Sequence, residues 1–159
     1  MAEIKAKTIF KNPIHLLAFG FGSGLAPKAP GTFGTLAAIP FYIYASTLSL
    51  EYYIGLCLCI SLIGIYICGK SAKLLNTHDH PGIVWDEFAG FFITMIAVPF
   101  SWQSIILGFI LFRIFDIFKP WPISWLDKHV EGGLGIMIDD ILAGLLSLVC
   151  IHILLLYFI

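Results

Sequence analysis

Charge is what this sequence lacks most. Only 12% of its residues are Asp, Glu, Lys or Arg, against about 25% in an ordinary soluble domain. From Ile141 to Ile159 there is no charged residue at all. That scarcity excludes a solvated basic surface for nucleic acid, and a hydrophobic fraction of 59% places the chain among membrane proteins. Paired metal-type cysteines are also missing. Cys57, Cys59, Cys68 and Cys150 all lie in apolar stretches without a C-x-x-C pair, and they read as small hydrophobes. Several catalytic signatures are absent as well: the cysteine phosphatase loop, the D-x-D aspartyl-phosphate motif and the G-x-S-x-G elbow.

What is present is a series of apolar segments within 159 residues, read as a single integral-membrane domain. Leu36–Leu50, Tyr52–Gly69, Ile83–Phe100, Ser104–Phe118 and Ile141–Ile159 are the candidate crossings. Several are short of the ~20 residues of a full span. The N-terminus, with Lys5, Lys7 and Lys11 before "PIHLLAFGFG", reads as an interfacial helix. The expected fold is therefore all-α: a multi-pass membrane bundle of about five apolar helices with an N-terminal interfacial helix.

With five crossings, all nine Lys and Arg residues fall on one face, including Lys28, Lys70, Lys73, Arg113, Lys119 and Lys128. The positive-inside rule makes that face cytoplasmic. The acids follow. Asp86 and Glu87 open the third segment, Asp116 closes the fourth, and Asp139 and Asp140 precede the fifth, all on the cytoplasmic side.

A charge at the centre of a membrane helix costs at least ~2.5–3.5 kcal/mol. Carboxylates near helix ends cost less but repel one another, and a cluster of them persists most easily around a cation. Oxygen-only ligands favour a hard ion such as Mg²⁺. Asp86, Glu87, Asp116, Asp139 and Asp140 are the candidate ligands, with Asp79 of "NTHDHPG" a further oxygen donor. Simple N-capping by Asp139 or Asp140 is the competing account; it explains one of the two and leaves Asp86–Glu87 unexplained. Arg113, Asp116 and Lys119 are spaced i, i+3, i+6 and share a broad helix face, which suits Asp116 for metal and Arg113 or Lys119 for phosphate oxygens.

The stretch "GSGLAPKAPGTFGT" resembles a phosphate-binding loop without being a Walker A motif, since Lys28 lies outside the G-K-[ST] position. Gly31, Thr32, Gly34 and Lys28 are its candidate anion contacts through a backbone nest, and Thr32 or Thr35 the candidate cap of the next helix. The stretch is not expected to be helical throughout. His78 and His80 read as a polar loop; His129 and His152 read as structural.

Four motifs, "GFGSGLAPKAPGTFGTLAAIP", "DHPGIVWDEFAG", "FRIFDIFKPWPI" and "GGLGIMIDDILAG", stand in an order that resembles the bacterial phosphatidylglycerophosphatase A family. The resemblance runs from about Leu17 to Gly144. It implies a multi-pass enzyme of the bacterial inner membrane with its site on the cytoplasmic side. Such an enzyme removes the terminal phosphate of phosphatidylglycerol phosphate with Mg²⁺, leaving phosphatidylglycerol. On that expectation Asp140 or Glu87 orients or deprotonates the attacking water, with Asp86 and Asp116 beside them. A cation or proton transporter built on the same carboxylates is the alternative. It requires ionisable groups near the midplane and a path to both faces, and these residues gather on one side. A cytidine-diphosphate-alcohol phosphotransferase is excluded by the missing D-G-x-x-A-R signature.

Overall fold

The computed structural model describes residues 6–158, the side chain of Phe158 excepted, and these residues are helical without a strand. Two short helices, α1 (Ala6–Lys11) and α2 (Pro13–Ala18), lead into a kinked 3₁₀ stretch over Gly20–Leu25. They stand where the interfacial helix is expected; Lys5 lies outside the described residues. The long elements are α3 (Pro30–Ala45), α4 (Leu50–Leu74), α5 (Trp85–Thr94), α6 (Trp102–Phe118) and α8 (Gly132–Phe158), with short α7 (Ile123–His129) before α8.

Contacts fix how these helices run. Gly31 of α3 meets Glu87 at the start of α5, and Tyr42 meets Phe92 further along both. Helices α3 and α5 therefore run the same way. Gly64 and Gly69 of α4 meet Met137 and Gly133 of α8 in reverse order. Gly90 of α5 meets Gly144, and His152 Nε2 donates to the carbonyl oxygen of Ile96, just past α5, at 2.9 Å, so α5 and α8 are parallel. Helix α6 opposes α5, with Phe112 against Gly90 and Gly108 against Met95. Direction thus alternates along α3, α4, α5, α6 and α8. One end of the bundle collects the start of α5, the end of α6 and the early turns of α8.

Two of these helices, Leu50–Leu74 and Gly132–Tyr157, are long and apolar enough to cross a membrane. They are not the buried core of a soluble protein. Leu62 and Tyr66 of α4 are 67% and 65% exposed, and Leu156 of α8 is 83% exposed. Two helices, not five, reach that length, and the shortfall has local causes. The segment Ile83–Phe100 is helical only over the ten residues Trp85–Thr94, about 15 Å; beyond Met95 the backbone turns, Ala97 adopts φ 57, and Pro99 follows. The expected Leu36–Leu50 helix starts earlier, at Pro30, runs through Pro40 and stops at Ala45.

The largest correction concerns α8, which starts at Gly132, nine residues before the expected Ile141. Asp139 and Asp140 therefore lie two turns inside a helix, where no free N–H groups await a cap. The capping account of this pair is excluded.

Glycine sets the closest approaches. A Cβ on Gly144 would meet the Gly90 carbonyl oxygen at 2.5 Å, whereas Gly55 has nothing within 4 Å. Gly144→Val is expected to cost at least the ~1–3 kcal/mol of an overpacked core and to lower the thermal midpoint of the detergent-solubilised protein. Gly55→Ala is expected to leave it unchanged or raise it slightly. Equal midpoints for the two variants would contradict this packing.

Candidate functional site

Three helices deliver the acids. The first turn of α5 carries Asp86 and Glu87, the last turn of α6 carries Asp116, and the third turn of α8 carries Asp139 and Asp140. Two groups of three form there. Asp86, Glu87 and Asp140 each offer an oxygen within 4.8 Å of the others, and so do Asp116, Asp139 and Asp140. Asp140 belongs to both and is only 2% exposed. Five of the six carboxylates named from the sequence are thus brought together, with Asp140 common to both groups.

Two cations border them. Arg113 pairs with Asp116 one turn away and lies 3.8 Å from Glu87 Oε1. Lys119 donates to Asp139 Oδ2 at 2.6 Å and to Asp127 Oδ1 at 2.8 Å. Lys119 does not continue the face of α6, as its spacing suggested. It is the C-cap residue, left-handed at φ 41, because Pro120 ends the helix. That turn swings its side chain toward α7 and α8. Burial alone lowers the Lys119 pKa, but the hydrogen bonds to Asp127 and Asp139 outweigh it, and the ammonium is held above its ordinary value. It stays charged at neutral pH.

The partnering is incomplete. Asp86 Oδ1, Glu87 Oε2, Asp139 Oδ1 and Asp140 Oδ2 are buried with no hydrogen-bond partner, as are Nε and Nη1 of Arg113. Nη1 contacts carboxylates at ion-pair distance without hydrogen-bond alignment. Buried polar atoms are satisfied in the great majority of cases, and an unsatisfied charged one costs several kcal/mol. These oxygens lie on residues of the two acidic groups, which share Asp140 and could hold a hard cation. The free edge of Arg113 suits an anion's oxygens.

Other expectations separate from this cluster. Asp79 is exposed and lines a small cleft of about 60 Å³ with His78, Asp127 and Asp139; it belongs to neither acidic group. His80 accepts a hydrogen bond from the Gly82 N–H at 3.0 Å, as a loop residue does. Lys28 is exposed and Thr32 half-buried, and neither joins the ion pairs around the acids. No glycine nest forms over Gly31–Gly34, because α3 begins at Pro30. Nor does Thr32 or Thr35 cap it: Ala29 is the N-cap, without a side-chain bond, and Thr35 donates to the Gly31 carbonyl inside the helix. Gly31 matters for another reason. A Cβ there would run into Glu87 Oε1 and the Arg113 guanidinium, so glycine lets α3 close over the cluster. Asp127, exposed on α7, was not read as functional; it lies across a helix break from Lys119, where no periodicity marks it.

A family model described as Phosphatidylglycerophosphatase A matches residues 16–155. A protein of that name from Escherichia coli (strain K12) is 51% identical over 149 residues, covering 90% of this chain and 84% of its own. One from Haemophilus influenzae is 49% identical, covering 88% of this chain and 87% of its own. A Bacteroides thetaiotaomicron protein provisionally named a phosphatidylinositol-3-phosphatase is 35% identical, covering 86% and 89%. No solved structure matches.

Removing Arg113 tests the charge balance. Arg113→Ala is expected to cost about 3–5 kcal/mol in chelator, as when a buried pair loses one partner, and added divalent cation is expected to raise its thermal midpoint more than that of the unaltered protein. Identical melting of the two proteins in chelator would contradict the balance.

Proposed function

The chain belongs to the phosphatidylglycerophosphatase A family, and from that premise we propose that it hydrolyses phosphatidylglycerol phosphate to phosphatidylglycerol and phosphate, using Mg²⁺, at the cytoplasmic face of the bacterial inner membrane. The observation that carries the chemistry is the set of unpartnered buried oxygens on Asp86, Glu87, Asp139 and Asp140. Asp116 completes the ligand candidates. Mg²⁺ bound by them would offset the charge of the phosphomonoester and polarise its phosphorus–oxygen bonds.

The side chains supply the rest. Arg113 and Lys119 hold non-bridging phosphate oxygens, Arg113 through its free edge. Asp140 or Glu87 accepts a proton as water oxygen attacks phosphorus. The bond from phosphorus to the glycerol oxygen breaks, and that oxygen takes up a proton to become the free hydroxyl of the product lipid. Attack by an aspartate oxygen instead would leave an acyl phosphate.

The membrane arrangement supports this placement. Direction alternates across α3, α4, α5, α6 and α8, as successive crossings require. The acids share the bundle end with Lys70 and Lys73 of α4 and with Lys119, the cytoplasmic end by the positive-inside rule. Trp121 and Trp125, 79% and 53% exposed, suit headgroup depth there. Transport is disfavoured because, among the described residues, the opposite end of the bundle carries the single acid Glu51 in the first turn of α4 and no acidic group of three.

Phosphate release from detergent-solubilised phosphatidylglycerol phosphate is expected with Mg²⁺ and absent with chelator. Asp140→Asn, which keeps shape and removes charge, is expected to lower kcat about 10²-fold or more. Chelator-insensitive release, or normal turnover by Asp140→Asn, would overturn the metal and base assignments. A hydroxylamine-labile phosphate trapped on the protein would replace water attack with the aspartyl route.

A further inference from the structure

An apolar groove of about 560 Å³ opens between α3 and α4, with α5 as its floor, a size typical of small-molecule sites. It begins at an aromatic mouth. Trp85 donates its indole N–H to the Ile60 carbonyl at 3.1 Å and stacks on Phe88 at 5.6 Å. Phe21 stacks on Phe41 at 5.2 Å, and Phe41 lies 5.7 Å from Phe88. Phe21 reaches that place from a left-handed backbone, φ 58, a region that disfavours bulky residues. From the mouth the groove follows α3 past Ala45 to Leu48, and α4 back to Leu56, away from the carboxylate end.

The mouth and the acids share one helical turn. Trp85 and Phe88 face the groove while Asp86 and Glu87, between them in sequence, face the cluster. We propose that this groove seats one acyl chain of the phospholipid substrate while the phosphate occupies the carboxylate end, an inference that rests on the lipid-phosphatase reading. The continuity of groove and site selects this occupant. The groove leads away from the phosphate position in the direction an acyl chain takes from a headgroup, and its walls carry almost no polar surface. Lipid tails are as apolar as the lining, so transfer from bilayer to groove gains little. The groove orients the substrate and lets the headgroup enter without lifting the lipid from the membrane.

Filling the groove tests this. Leu56→Trp and, at the far end, Leu48→Trp are assayed on dioleoyl and dihexanoyl phosphatidylglycerol phosphate in mixed micelles, with size-exclusion analysis of each protein. The expected result is at least a tenfold loss of kcat/KM on the dioleoyl substrate and less than twofold on the dihexanoyl one, whose chains reach little past the mouth. The dihexanoyl rate also reports folding. Equal loss on both substrates in both variants, or no loss on either, overturns the acyl groove. A dimer that dissociates on filling assigns the groove to a second copy and overturns it too. If the unaltered protein releases phosphate from neither lipid, the failure belongs to the lipid-phosphatase reading instead.

Discussion

Everything at the working end of this bundle depends on the mutual repulsion of five carboxylates held where water is scarce. Arg113 and Lys119 are the cations in direct contact with them, and several carboxylate oxygens face one another unpaired. In a poorly polarisable surrounding such repulsion is far stronger than in water. The helices do not spread to relieve it. Glycines at positions 90, 133 and 144 bring backbones together, and Gly31 leaves room for the Glu87 and Arg113 side chains, where any side chain would collide, so packing holds the acids in place. On the proposed reading, a divalent cation with a phosphate ester is the ligand pair whose charges would complement this cluster.

Much of this was legible because membrane proteins tolerate few charges, and each one therefore carries information. Alternating the apolar segments placed Asp86, Glu87, Asp116, Asp139 and Asp140 at one end, and the structure brings them within reach of one another. What failed was local. The eight residues from Gly132 to Asp139 contain three glycines, which read as loop, yet they form the first turns of α8 because packing against α4 and α7 overrides propensity. The Gly/Pro-rich stretch is not helical throughout, as expected, since residues 26–29 stay outside helix; the nest failed because Gly31–Gly34 belong to α3. Lys119 was placed on the wrong face because helical periodicity was extended across a residue that a following proline forces out of the helix.

The roles of Gly31 and Asp127 were invisible for a different reason. Both act through partners distant in sequence: Gly31 by leaving room for Glu87 and Arg113, Asp127 by sharing Lys119 with Asp139. Neither leaves a periodic trace. The first turn of α5 joins these levels, since its alternation of aromatic and acid directs Trp85 and Phe88 to the apolar groove and Asp86 and Glu87 to the polar end.

The divalent cation proposed for the clustered carboxylates can be tested directly. Electron paramagnetic resonance of Mn²⁺ added to the purified protein measures that occupancy without relying on turnover. Saturable Mn²⁺ binding that competes with Mg²⁺ and weakens sharply in Asp140→Asn is the expected result. A folded protein that binds no Mn²⁺, or that binds it equally well after Asp140→Asn, would contradict the account.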